Sequence, residues 1–71
     1  GLGPTDRKIL TALAEIFNGG PVGLTTLAQC IGEDRGTLES VHEPHLMRSG
    51  LLRRSPRGRC LTDKAREHLK S

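Results

Sequence analysis

The chain has 71 residues, of which 27% are charged, and its formal net charge at pH 7 is +3. A chain of this length forms one domain with a small core and leaves little room for a deep catalytic cleft. Phe17 is the only aromatic residue, so the core must be aliphatic, and recognition of single strands by stacking bases on aromatic side chains is nearly excluded.

The first predicted helix begins at Pro4-Thr5-Asp6, where Thr5 or Asp6 can cap the first turn. Apolar residues at helical spacing then give this helix one inward face. They are Ile9, Leu10, Leu13, Ile16 and Phe17. Asn18-Gly19-Gly20 predicts the end of the helix.

The glycine-rich segment 19–23 does not fit a phosphate-binding loop. Such a loop has a lysine and then a serine or threonine after its last glycine, whereas Gly23 is followed by Leu24 and Thr25. Pro21-Val22 is predicted instead to be a short extended segment that adds a third strand to a later hairpin.

Two more helices are predicted in the middle of the chain. The second runs from about Leu24 to Ile31 and ends at Gly32 in the left-handed conformation. The third is capped by Asp34, and its inward positions are Leu38, Val41 and Leu46. Pro44 is expected to kink or break it and to open its last turn, because proline removes a backbone donor.

His42-Glu43-Pro44-His45 gathers two imidazoles and a carboxylate, which raises the possibility of a metal site. The proline spoils the helical face geometry, and no cysteine or third ligand is close in sequence. Polar surface residues around a kink are the preferred interpretation, and no metal or other cofactor is predicted.

Cys30 and Cys60 are isolated in the sequence, and each lies in an apolar run. Two free, buried thiols in a cytoplasmic protein are predicted in preference to a disulfide. The chain contains no apolar run long enough to span a membrane. It begins at Gly1 rather than Met, so a fragment of a longer chain is expected.

Residues 50–61 are predicted to form a basic β-hairpin. Ser55-Pro56-Arg57-Gly58 fits a type I turn position by position. The hairpin arginines are Arg53, Arg54, Arg57 and Arg59. Residues 44–62 contain five arginines and no acidic residue, so this local positive charge predicts contact with phosphate groups. Thr62-Asp63 then caps a last helix.

The order of elements predicts a mainly α domain with a small β-hairpin, a winged helix-turn-helix over residues 1–71. In most such domains the third helix enters the major groove. Here the start of that helix is acidic, with Arg35 as its one basic residue, and it lacks an asparagine or glutamine to read adenine. Its acidic residues are Glu33, Asp34, Glu39 and Glu43. The wing is therefore expected to carry DNA binding with little base preference. The competing hypothesis is a protein-interaction domain that docks its acidic third helix on a basic partner.

Several motifs in order resemble the C-terminal domain of the RuvB family, the bacterial motors that drive branch migration of Holliday junctions. They are Leu-x-x-x-Asp-Arg-Lys-Ile-Leu at 2–10, Gly-Gly-Pro-Val-Gly-Leu at 19–24, Ile-Gly-Glu-Asp-Arg at 31–35, Val-x-Glu-Pro at 41–44 and Arg-x-Pro-Arg-Gly-Arg at 54–59. The resemblance spans nearly the whole chain.

This resemblance implies a winged helix whose wing arginines contact DNA, which by motif match are Arg54, Arg57 and Arg59, with Arg35 as a further contact. It also implies a hexameric ATPase assisted by RuvA, whose ATP and Mg²⁺ sites lie outside these residues. The fragment itself is expected to be a non-catalytic, cytoplasmic monomer that binds duplex DNA.

Overall fold

The computed structural model describes residues 3–70. Its first two helices are α1 (Pro4–Glu15) and α2 (Leu24–Ile31). A continuous helix, α3, follows in three segments: Arg35–Thr37, a π-helical turn at Leu38–His42, and Glu43–Arg48. The hairpin strands are β1 (Leu52–Ser55) and β2 (Gly58–Leu61), and α4 (Asp63–Lys70) comes last. This order is the predicted winged helix-turn-helix.

Helix α1 begins at Pro4, within the predicted start Pro4-Thr5-Asp6. Gly3 is its N-cap, and Pro4 occupies the first turn, where a missing N–H costs nothing. Asp6 caps the helix from its third position, since the Asp6 carboxylate accepts the Gly3 N–H at 3.2 Å. The prediction that Thr5 or Asp6 caps the first turn is therefore confirmed for Asp6.

The end of α1 differs from the prediction at Ile16. The helix stops at Glu15, and Asn18 and Gly19 then reverse the chain with φ of 52° and 93°. Ile16 is 62% exposed, so its predicted inward position is wrong, while Phe17 packs against the core as predicted.

Helix α2 has the predicted bounds, and Gly32 ends it with φ 71° and ψ 32°. Its inward face includes Leu24, Leu27 and Ala28. Cys30 lies off this face and is exposed, while Cys60 on β2 is buried. Both thiols are free, but the prediction that Cys30 is buried is wrong.

The π-helical turn determines which residues of α3 face the core and which face the solvent. Asp34 caps the helix as predicted, accepting the Thr37 N–H at 2.9 Å. Pro44 opens the last segment as expected, but the helix does not break, because the wider π turn just before it accommodates the proline. The extra residue in that turn rotates the positions after Leu38. Val41 is consequently 57% exposed rather than inward, and Glu43 is 6% exposed rather than on the surface.

The hairpin forms in the predicted place as a two-stranded sheet, and the predicted third strand is limited to a single bridge at Val22. Its register pairs Leu52 with Leu61 and Arg54 with Arg59. Val22 forms an antiparallel bridge to the other side of Arg59, with N–H···O distances of 3.1 and 2.8 Å.

One aliphatic core joins the helices to the base of the wing. Its most deeply buried side chains are Leu10, Leu13, Leu27, Leu38 and Leu46. Leu51, Leu52 and Leu61 anchor the hairpin in this core, and Ala65 anchors α4. Thr62 caps α4 as predicted, since its hydroxyl oxygen accepts the Ala65 N–H at 3.1 Å. The wing therefore projects from a fixed base.

Candidate nucleic-acid interface

Three of the predicted site residues lie exposed on the wing. Arg53 and Arg54 are exposed on β1, and Arg57 is exposed in the two-residue turn. Within residues 3–70, these three side chains form no salt bridge with an acidic residue. Their positive charges remain available to an anionic partner.

The turn that carries Arg57 is held by local contacts. The Ser55 hydroxyl donates to the Gly58 carbonyl oxygen at 3.0 Å. Neither Pro56 nor Arg57 has a positive φ, which agrees with the predicted type I turn. Gly58, which follows the turn, has φ 142°, a conformation that favours glycine. A β-carbon on Gly58 would also overlap the backbone of Val22.

Arg59 differs sharply from the other hairpin arginines. Its Nε and Nη2 donate to the two carboxylate oxygens of Glu43 at 2.8 and 3.2 Å. The exposed fractions of the two side chains are 11% and 7%. The expectation that the charge of Arg59 is unneutralised is therefore wrong, because an acidic residue outside the hairpin sequence reaches it through the fold.

Arg35 lies apart from the wing, in the first segment of α3. Its Nη2 is 3.9 Å from Oε2 of Glu39, and about half of each side chain is exposed. At about 1.5 Å per residue, Arg35 is roughly 12 Å along the helix axis from Glu43, where the hairpin meets α3. The structure does not bring Arg35 together with the wing arginines.

The two histidines on either side of Glu43-Pro44 both face Asp6 of α1. Nδ1 of His42 lies 3.0 Å from Oδ1 of Asp6, and Nε2 of His45 lies 3.9 Å from Oδ2 of the same carboxylate. Asp6 is 7% exposed. The interpretation of His42 and Glu43 as polar surface residues is therefore wrong, since both are tied to other elements.

Sequence reasoning missed Glu43 as a residue that shapes the site. It lies in Val-x-Glu-Pro, one of the motifs that carry the family resemblance, but no sequence spacing relates it to Arg59, 16 residues later. The acidic surface of α3 is correspondingly smaller than predicted, because Glu43 does not contribute to it.

The described residues include no helix with the length and hydropathy needed to cross a membrane.

Comparison with known proteins agrees with this architecture. The family described as the RuvB C-terminal winged helix domain matches residues 1–70. The Holliday junction branch migration complex subunits RuvB of Parabacteroides distasonis and Synechococcus sp. (strain RCC307) are 55% and 54% identical to the chain, over 97% and 100% of its length. The chain spans only 20% and 21% of those two proteins.

A solved structure gives the same result in three dimensions. The Thermotoga maritima RuvB Holliday junction branch migration motor superposes with a TM-score of 0.96 at 53% identity, covering 99% of this chain and 24% of that one. The family match, the identities and the superposition all cover nearly every residue, so the chain belongs to the family of RuvB C-terminal winged helix domains.

Proposed function

We propose that this domain binds duplex DNA without base preference through its wing, as the DNA-contacting part of a RuvB branch migration motor. The observation that carries the proposal is the division among the hairpin arginines. Arg53, Arg54 and Arg57 are exposed and without acidic partners in the described chain, whereas Arg59 is neutralised by Glu43. Unpaired arginines on a projecting hairpin suit the phosphates of a duplex.

Affinity in this proposal comes mainly from the wing, and α3 contributes to it through Arg35 alone. The exposed groups on the first two segments of α3 include Glu39, Ser40 and Val41, which repel phosphate or offer no bidentate pairing to a base edge. Contacts limited to phosphate do not depend on base sequence. A motor that moves along any DNA arm requires this kind of contact.

The larger protein is proposed to be the ATP-driven motor for branch migration in recombination and repair. The relatives whose names include Holliday junction branch migration are four to five times longer than this chain. ATP and Mg²⁺ would bind in that additional length, in the bacterial cytoplasm, with RuvA and further RuvB protomers as partners. The 71-residue domain is proposed to be a non-catalytic monomer whose partner is a duplex arm, with Arg35 as an additional phosphate contact away from the wing.

Salt dependence tests the proposal directly. Fluorescence anisotropy with labelled duplexes of equal length should give a linear fall of log K with log salt concentration, with a slope of about −0.9 for each phosphate neutralised. The competing proposal, an acidic α3 docked on a basic protein, predicts little DNA binding at any salt concentration. A flat salt response would reject the wing as a phosphate-binding element.

A further inference from the structure

We propose that Arg59 supports DNA binding as a positioning residue rather than as a phosphate contact, and that Glu43, an acidic residue, is needed for tight binding to DNA. This inference rests on the proposed function of the wing. Arg54 and Arg59 face each other across the hairpin. In this inference, Arg54 is a phosphate contact and Arg59 is a positioning residue.

The Glu43–Arg59 pair leaves little of Arg59 for a phosphate. Both carboxylate oxygens accept guanidinium N–H groups, at 2.8 and 3.2 Å, and the Arg59 side chain is 11% exposed. Such two-point, charge-assisted pairs are strong and fix the angle between their partners. A phosphate would have to displace Glu43 and leave a buried carboxylate without its counter-charge, which is strongly unfavourable.

The pair also acts at the centre of the wing. The backbone of Arg59 pairs with Arg54 on one side and with Val22 on the other. Residue 59 therefore belongs to the middle of three extended segments. Because its side chain is attached to α3 through Glu43, the ion pair fixes the orientation of the wing relative to the helix.

A further effect of Glu43 is on Arg54. Residues directly opposite in an antiparallel pair have β-carbons about 5 Å apart, and like charges there destabilise the pair. Glu43 neutralises Arg59 and thereby relieves this repulsion. The charge of Arg54 remains free, and its side chain is exposed next to a neutral pair instead of a second cation.

The proposal predicts a result that net charge alone does not. Glu43→Gln removes an acidic group near a DNA-binding surface, so charge alone would raise the affinity for DNA. Loss of positioning should instead lower it by about fivefold to tenfold, and Arg59→Gln should do the same. The double variant Glu43→Gln/Arg59→Gln keeps the net charge and buries no lone charge, so it should bind DNA no more weakly than either single variant.

The experiment measures anisotropy of one duplex at several salt concentrations for these three variants and for Arg54→Ala. The salt slope of the double variant should equal that of the unmodified chain, whereas Arg54→Ala should lower the magnitude of the slope by about 0.9. Amide exchange of helix residues checks that each variant is folded. If a single variant unfolds, the salt slope of the double variant still tests whether Arg59 contacts a phosphate.

Two results would overturn the inference. One is a slope magnitude lowered by about 0.9 in the double variant, which means that Arg59 contacts a phosphate. The other is a higher affinity for Glu43→Gln, which means that Glu43 only repels DNA. Either result, with Arg54→Ala still lowering the slope, leaves the proposed function of the wing intact. Salt-independent binding by the unmodified chain would instead reject both proposals.

Discussion

Oδ1 of Asp6, in the first turn of α1, lies 3.0 Å from Nδ1 of His42, in the π-helical turn of α3. The same carboxylate accepts the Gly3 N–H, so one buried side chain both caps α1 and ties it to α3. Glu43, the next residue along the chain, holds Arg59. The π turn thus contacts the start of α1 through His42 and lies next to the residue that holds the wing.

Asp6→Ala is expected to destabilise the domain by about 2 kcal/mol, because hydrogen bonds to a charged group contribute about 1.5–3 kcal/mol and the cap is lost as well. Urea unfolding followed by circular dichroism measures this change. Glu15→Ala, an exposed acidic residue of the same helix, is the control and should change stability by less than about 0.5 kcal/mol. A loss for Asp6→Ala as small as that expected for Glu15→Ala would contradict a stabilising role of the Asp6 carboxylate.

Gly58→Ala should loosen the hairpin by more than the roughly 1 kcal/mol expected from backbone conformation alone. Gly58 has φ 142°, and an added β-carbon would overlap the carbonyl of Val22, so the third segment must move. Amide exchange at Arg59 should accelerate while the helices remain protected. Gly23→Ala, where no atom beyond the two neighbouring residues lies within 4 Å of the added β-carbon, should leave exchange in the hairpin unchanged.

Replacing Arg54 and Arg57 together by alanine should lower the magnitude of the salt slope for DNA binding by about 1.8, that is, about 0.9 for each phosphate contact. Stability should change little, since exposed charges contribute little. Anisotropy titrations measure the slope.

The matched control for that double variant is Arg7→Ala/Lys8→Ala, which removes two exposed charges from α1. Lys64 and Arg66 are unsuitable, because they donate to the backbone carbonyls of Ser49 and Asn18. An equal change of slope in both double variants would mean that net charge, rather than the wing, governs binding.

Binding should be nearly independent of base sequence. With contacts limited to phosphates, scrambled duplexes of equal length should bind within about threefold of one another, far below the 10³-fold or greater preference of typical specific complexes. A binding selection from random duplexes checks this expectation. Strong enrichment of one sequence would contradict it and would indicate that α3 reads bases.

The sequence by itself determined the elements whose signals are local. The Ser55–Gly58 turn, the end of α2 at Gly32, the Asp34 cap and the Thr62 cap each depend on residues within a few positions of one another, so they could be read without the fold. The helical spacing of aliphatic residues predicted most of the core. Ile16 and Val41 fit this spacing but are exposed. Motifs in order were sufficient to identify the family.

Only the tertiary structure decided which charges are free. Glu43 and Arg59 are separated by 16 residues, and Asp6 and His42 by 36, so no local spacing relates them. The π turn adds one residue to a helical turn and rotates Glu43 inward and Val41 outward, which a regular 3.6-residue period cannot predict. Counting charges along the chain made four hairpin arginines equivalent, whereas the packing of the wing against α3 neutralises Arg59, because the fold places an acidic side chain within hydrogen-bonding distance of it.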